Sequence, residues 1–238
     1  MIRHPIVANG RSRRAWWNSC GLLLLALFLA GCGKGTSGSS SASAGDLEKK
    51  AAGGDRFAQA ELGRRYLEGR GGVSVDYAQA ARWLRSAAEQ GVAEAQYHLG
   101  TLAEAGRGLP KDDTNALSWF RQAAERGHAD AQYSLALMYA TGRGTPKRKE
   151  ESVKWFRASA EQGLAEAQFN LAQRYQHGQG VATNLVEAYK WFSLAGRQGI
   201  ADANQSMTQL RGVLSAEQVS QAESGAAAFK PQTTPAAP

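Results

Sequence analysis

The chain has 238 residues, 43% of them apolar, and carries 28 Lys and Arg against 21 Asp and Glu, a formal charge of +7. That length supports one or two domains with a buried core. The basic balance first suggests an anionic partner. The excess is uneven, however: residues 1–31 contain four arginines and no acid, and without them the net charge falls to +3. A nucleic-acid partner is largely excluded with it.

Arg3, Arg11, Arg13 and Arg14 precede "GLLLLALFLAG", an apolar run too short to span a bilayer comfortably as a mature helix. Basic start and apolar run together read as a signal peptide over residues 1–31. The run ends in Leu29-Ala30-Gly31-Cys32, which resembles the lipobox of bacterial lipoproteins. The resemblance implies cleavage before Cys32, a diacylglycerol on its sulfur and acylation of the new amine. It also implies the envelope of a Gram-negative bacterium. Gly33 stands where an aspartate would mark inner-membrane retention, which points to the outer membrane, facing the periplasm. Several acyl chains hold a protein firmly where one binds only marginally. With Cys20 removed and Cys32 lipidated, no thiol remains for a disulfide, a metal site or a redox site. Residues 32–45 continue as a Gly/Ser tether with a reach of roughly 20 Å.

"DLEKKAAGG", residues 46–54, reads as a short cap helix with Leu47 one period before Trp83. Beyond it the chain repeats. Trp83, Trp119, Trp155 and Trp191 recur every 36 residues, and Gly91, Gly127, Gly163 and Gly199 keep the same period. A fixed period of this size marks a solenoid or array. Four units fill residues 55–199. Each predicts two amphipathic helices, such as "AEAQYHLGTLAEAG" and "NALSWFRQAAERG", joined by a Gly-x-Gly loop. Small alanines allow close helix approach, and the column Leu84, Phe120, Phe156, Phe192 supplies bulk. Leu62-Gly63 with Tyr66, and Ala188 with Phe192, resemble the tetratricopeptide pattern. "AEAQYHLG", "GRGLPKD" and "WFRQAAERGHADAQ" resemble the Sel-one-like repeat family, the relative with a longer unit. The resemblance implies an all-α fold, a right-handed α-solenoid of helix-turn-helix repeats of about 36 residues.

Residues 200–228 start like a fifth unit and then depart from it, so they read as capping helices. Ser215 with Gln218 is a capping-box signature opening a last helix to about Ala226. Residues 229–238 read as a disordered tail.

No catalytic motif, phosphate-binding loop or dinucleotide fingerprint appears, so no catalytic residue, cofactor or metal is expected. His98, His128 and His177 occupy three different columns of the repeat and do not align as ligands. The resemblance implies that the first helices line a concave face. Its columns are Glu61, His98, Ser134, Asn170; Arg64, Thr101, Leu137, Gln173; and Arg65, Leu102, Met138, Arg174. This predicts an apolar middle of Leu102, Leu137 and Met138 with cations at both ends, suited to a peptide or helix partner. Tyr97, Tyr133 and Phe169 form an aromatic column that serves either the groove or the inter-helix core.

A second candidate surface is the loop edge, where Arg70, Arg107 and Arg143 recur and Gln179 ends the run. The next helices open on Asp76, Asp112 and Asn184, all good N-caps, but on Arg148 in the third repeat. Lys147, Arg148 and Lys149 therefore form a basic spot open to an acidic partner.

The expected function is a lipid-anchored adaptor or scaffold that binds another protein or peptide segment. The alternative is a lipoprotein of the cell wall or of an exopolysaccharide system, reading an anionic polysaccharide through the loop edge. Cysteine-rich relatives have been linked to β-lactam binding, but they carry a disulfide in each repeat and this chain has none.

Overall fold

The computed structural model describes residues 44–232. The expected signal peptide, Cys32 and the tether as far as residue 43 lie outside the described residues, as do residues 233–238. Eleven helices and no strand occur among the described residues. They are α1 (Ala44–Ala52), α2 (Arg56–Glu68), α3 (Tyr77–Glu89), α4 (Ala93–Ala105), α5 (Asp113–Glu125) and α6 (Ala129–Thr141). They continue as α7 (Lys149–Glu161), α8 (Ala165–His177), α9 (Leu185–Arg197), α10 (Ala201–Arg211) and α11 (Ala216–Ala227). Helix α1 starts two residues inside the expected tether.

Each first helix packs on the second helix of its own repeat, and that helix packs on the first helix of the next. The result is an α-solenoid of four helix pairs. Leu84, Phe120, Phe156 and Phe192 are all completely buried. They need close backbone approach. A Cβ on Gly63 would lie 2.7 Å from Cγ of Leu84, and one on Gly100 would lie 2.8 Å from Cδ1 of Phe120. Ala136 and Ala172, at the same position of the next two repeats, are fully buried.

Local signals set the helix ends. Asp76 accepts from the amides of Ala78 and Gln79, Asp112 from Thr114 and Asn115, and Asn184 from Glu187. Gly69, Gly106, Gly142 and Gly178 take the left-handed conformation at the ends of α2, α4, α6 and α8. The second loop glycine has a different task. Gly108, Gly144 and Gly180 also have positive φ, and a Cβ on any of them would collide with the carbonyl of Tyr77, Asp113 or Lys149. Each of those carbonyls belongs to the first residue of the second helix one repeat earlier. The longer loop is thus a backbone-to-backbone contact between repeats.

Both ends are closed. Leu47 and Ala51 of α1 are buried against Ala58 and Leu62 of α2. Helices α10 and α11 both pack on α9, and Ser215 and Gln218 form the expected capping box at the start of α11. The tail corrects the expectation of disorder from residue 229. Phe229 meets Trp191 edge-on at 5.6 Å, and the amide of Gln232 donates to the carbonyl of Glu161 at 2.8 Å.

Candidate functional site

The three first-helix columns behave differently once folded. Arg64, Thr101, Leu137 and Gln173 are half-buried in all four repeats, a continuous accessible row. Glu61, His98 and Ser134 are likewise half-buried, but Asn170 is only 3% exposed. The third column corrects the expected apolar middle. Leu102 is 3% exposed and Met138 fully buried, because this position faces the second-helix layer: Leu102 joins the core around Leu84, and Met138 the core around Phe120. Of the three predicted apolar groove residues, Leu137 alone stays accessible. Arg65 and Arg174 share that inward position and remain half-buried, as long stems with polar ends can.

The two cationic ends of the first-helix face are not equivalent. In the first repeat Glu61 binds Arg64 at 2.6 Å and Arg65 at 3.0 Å, and Arg64 also reaches Glu68 at 3.1 Å. Burial by itself would raise the Glu61 pKa, but the hydrogen bonds from Arg64 and Arg65 hold it below the usual carboxylate range. In the fourth repeat Nη1 of Arg174 donates to Oε1 of Gln179, and the guanidinium lies over Phe156 at 5.6 Å. Among the described residues no acid pairs with it, and burial pushes its pKa below the usual value.

The aromatic column belongs to the inter-helix packing. Tyr97 meets Phe120 at 5.9 Å, Tyr133 meets Phe156 at 5.8 Å, and Phe169 meets Phe192 at 5.5 Å. Burial pushes the Tyr97 and Tyr133 phenols up to about 12.

Column alignment hides one cluster that the fold assembles. Tyr97 stacks on His128 at 4.7 Å and touches His98 at 5.4 Å, and His98 lies 3.8 Å from Glu94. Nδ1 of His128 accepts the Ala131 amide at 3.3 Å, a cap that Val92 and Leu164 cannot make at their helices. Among the described residues no group of three His, Cys, Asp or Glu side chains is placed to hold a metal.

The loop arginines have internal partners. Arg70 pairs with Glu68 at 3.0 Å, Arg107 lies over Tyr77 at 5.4 Å, and Arg143 pairs with Glu104 of the preceding repeat. Gln179 interrupts the run and accepts a hydrogen bond from Arg174. Lys147, Arg148 and Lys149 are exposed, and Arg148 makes no side-chain cap at the start of α7.

Sequence reading missed a polar ladder in the core. Gln59, Gln96, Gln132 and Gln168 are buried, and each donates to the carbonyl eight residues earlier, at the end of the preceding helix. The signal was present, since a glutamine recurs at this position in every unit.

Fold and surface together define a helical-repeat protein of the solenoid class, with a repeated core and first-helix positions that vary from unit to unit. The chain belongs to the Sel1 repeat family, which matches residues 56–92, 93–128, 129–164 and 165–200. Proteins of this family generally mediate protein–protein interaction and are typically non-catalytic scaffolds. Among solved structures, the chain is 38% identical to a protective antigen present in uropathogenic Escherichia coli strains, described as displaying an SLR fold, with a TM-score of 0.68. That match covers 77% of this chain and 40% of the antigen. It is 35% identical to a Sel1 repeat protein from Oxalobacter formigenes, with a TM-score of 0.64, over 69% of this chain and 48% of that one. The match thus spans less than half of either structure's chain. Among curated proteins none is significantly similar to the chain.

Proposed function

We propose that this protein is an envelope-anchored adaptor that binds another protein along its first-helix face. The observation that carries the reading is the row Arg64, Thr101, Leu137, Gln173, accessible in every repeat and different in each, on a frame whose Ala, Gln and Leu core positions repeat. Such a row gives a partner segment a register, since each repeat offers it a different chemistry. Lipidation at Cys32 sets the location, at the outer membrane facing the periplasm, and its support is the basic start, apolar run and Leu-Ala-Gly-Cys sequence. Among the described residues no helix is long and apolar enough to cross a membrane.

The test is crosslinked recovery of partners from the native envelope with two variants, Leu137→Glu/Gln173→Glu and Lys147→Glu/Arg148→Glu/Lys149→Glu. Loss of the same partners in the first variant alone supports the adaptor reading. Unchanged recovery in it overturns that reading. Cys32→Ser, with incorporation of labelled palmitate as readout, tests the anchor separately.

The exposed Lys147, Arg148 and Lys149 favour a second reading, an anionic polysaccharide of the envelope. Such binding would be strongly salt-sensitive and lost in the second variant. The loop arginines contribute less than their sequence pattern promised, since each already has a partner.

A further inference from the structure

Arg65 and Arg174 hold the same position in the first and fourth repeats, and one difference separates their surroundings. Nε of Arg65 donates to Oε1 of Glu61 at 3.0 Å, one turn back. One turn back from Arg174 is Asn170, nearly buried, whose amide nitrogen is committed to the carbonyl of Glu166 at 2.8 Å. The carboxylate is missing, and Nε of Arg174 makes no hydrogen bond although it is shut off from solvent. Of the several N–H groups that a guanidinium offers, one is used, toward Gln179. The apolar ring of Phe156 lies beneath the guanidinium and gives it no counter-charge.

Packing does not demand an arginine here. Leu102 and Met138 fill the same position in the two middle repeats and are buried. A half-buried cation without a counter-charge carries a desolvation cost that an apolar residue would avoid. That cost is offset when a carboxylate arrives, because Arg–carboxylate hydrogen bonds strengthen in a shielded setting.

We propose that Arg174 anchors an aspartate or glutamate side chain of the protein partner, whose carboxylate meets the guanidinium at N–H groups other than the enclosed Nε and gives Arg174 the counter-charge that Glu61 gives Arg65. The inference rests on the protein-binding reading of the first-helix face. A side-chain carboxylate is the group that the first repeat itself uses at this position. Gln173, beside the anchor, and Leu137, one repeat earlier, give the flanking residues of an acidic segment a polar and an apolar contact.

The full-length chain in detergent tests this against pools of short random peptides made in three forms. One form carries a fixed central Glu and an amidated end, one carries Gln there with an amidated end, and one carries Gln with a free terminal carboxylate. The Glu pool is expected to bind about ten-fold or more tightly than the amidated Gln pool. Arg174→Met removes the preference by removing the cation. Asn170→Glu removes it by installing an internal carboxylate, and this second variant keeps the arginine. A Glu preference that persists in Arg174→Met overturns the inference, as does a preference for the free terminus alone. Equal binding of Glu and Gln pools overturns the anchor and leaves the adaptor reading standing. Binding of no pool overturns both.

Discussion

Gln162 donates its side-chain amide to Oε1 of the buried Gln132 across 2.8 Å, a contact between residues 30 positions apart. Gln90 does the same to Gln59 at 2.8 Å, and Gln198 to Gln168 at 2.9 Å. The fourth place in this series is Arg126, whose guanidinium carries donors but is not turned toward Gln96. Its guanidinium turns back to the carbonyl of Gln122, and Oε1 of the buried Gln96 is left without a partner. Arg126→Gln is expected to complete the ladder and to stabilise the fold by about 1 kcal/mol. Denaturant unfolding checks it, and an unchanged midpoint would mean that Gln96 is already satisfied.

Ser152 gives a second stability prediction. Its side chain is 1% exposed and its hydroxyl has no partner, while Ala80, Ala116 and Ala188 fill the same position in the other repeats. Ser152→Ala should stabilise by about 1 kcal/mol, because an unpaired buried hydroxyl is removed with little change in shape. Ser159→Ala is the control of opposite sign. Ser159 Oγ donates to the carbonyl of Ala129 at 2.9 Å, so its loss should destabilise by about 1 kcal/mol.

At the start of α7, Arg148 makes no cap, and Lys149 places a further cation where the helix dipole favours an anion. Arg148→Asp is expected to raise stability by about 1 kcal/mol, matching the caps at Asp76 and Asp112. If the basic spot also binds an anionic polysaccharide, the same substitution weakens that binding as it strengthens the fold. The two effects are read separately, by thermal unfolding and by salt-dependent pull-down.

His128 makes stability depend on pH. Burial holds its imidazole below the usual 6.5, with nearby His98 acting the same way and with Asp130 and Glu94 partly opposing. The unfolded chain therefore binds this proton more readily than the folded one. The stabilisation is complete above pH 6.5 and is lost as pH falls through that value toward the lower folded pKa. Glu61 and Glu94, whose carboxyls are held low, lose their contributions only below 4.5. Tm should thus decline in the window just below 6.5, and His128→Leu, the residue type found at Leu164, should flatten that decline. An unaltered profile in the variant would assign the decline elsewhere.

The architecture was legible in the sequence because a solenoid writes each contact four times. The Trp and Gly periods gave the unit, the Asp and Asn caps gave the helix starts, and Ser215 with Gln218 gave the last helix. Burial within a column was less legible. Arg65, Leu102, Met138 and Arg174 vary as an open face would, yet Leu102 and Met138 are buried. The position tolerates variety because it lies at the edge of the core, where a long stem and an apolar side chain both fit. The two roles of the Gly-x-Gly loop were hidden for another reason. Composition shows a glycine, but only the fold shows that the second one meets the backbone of the previous repeat. The His98–Tyr97–His128 cluster escaped because it joins the first helix of one unit to the residue that opens the first helix of the next, and alignment within units separates those residues.

The most direct test of the adaptor account is site-specific photocrosslinking in the native cell. A photoreactive residue is placed in turn at Thr101, Leu137 and Gln173 on the first helices, and at Ser118, Arg121 and Arg157, exposed positions on the second helices. The account predicts that one set of protein adducts forms from the first-helix positions, and that Arg174→Met weakens them at Gln173. Adducts formed equally from both sets of positions, or from the second helices alone, would contradict it.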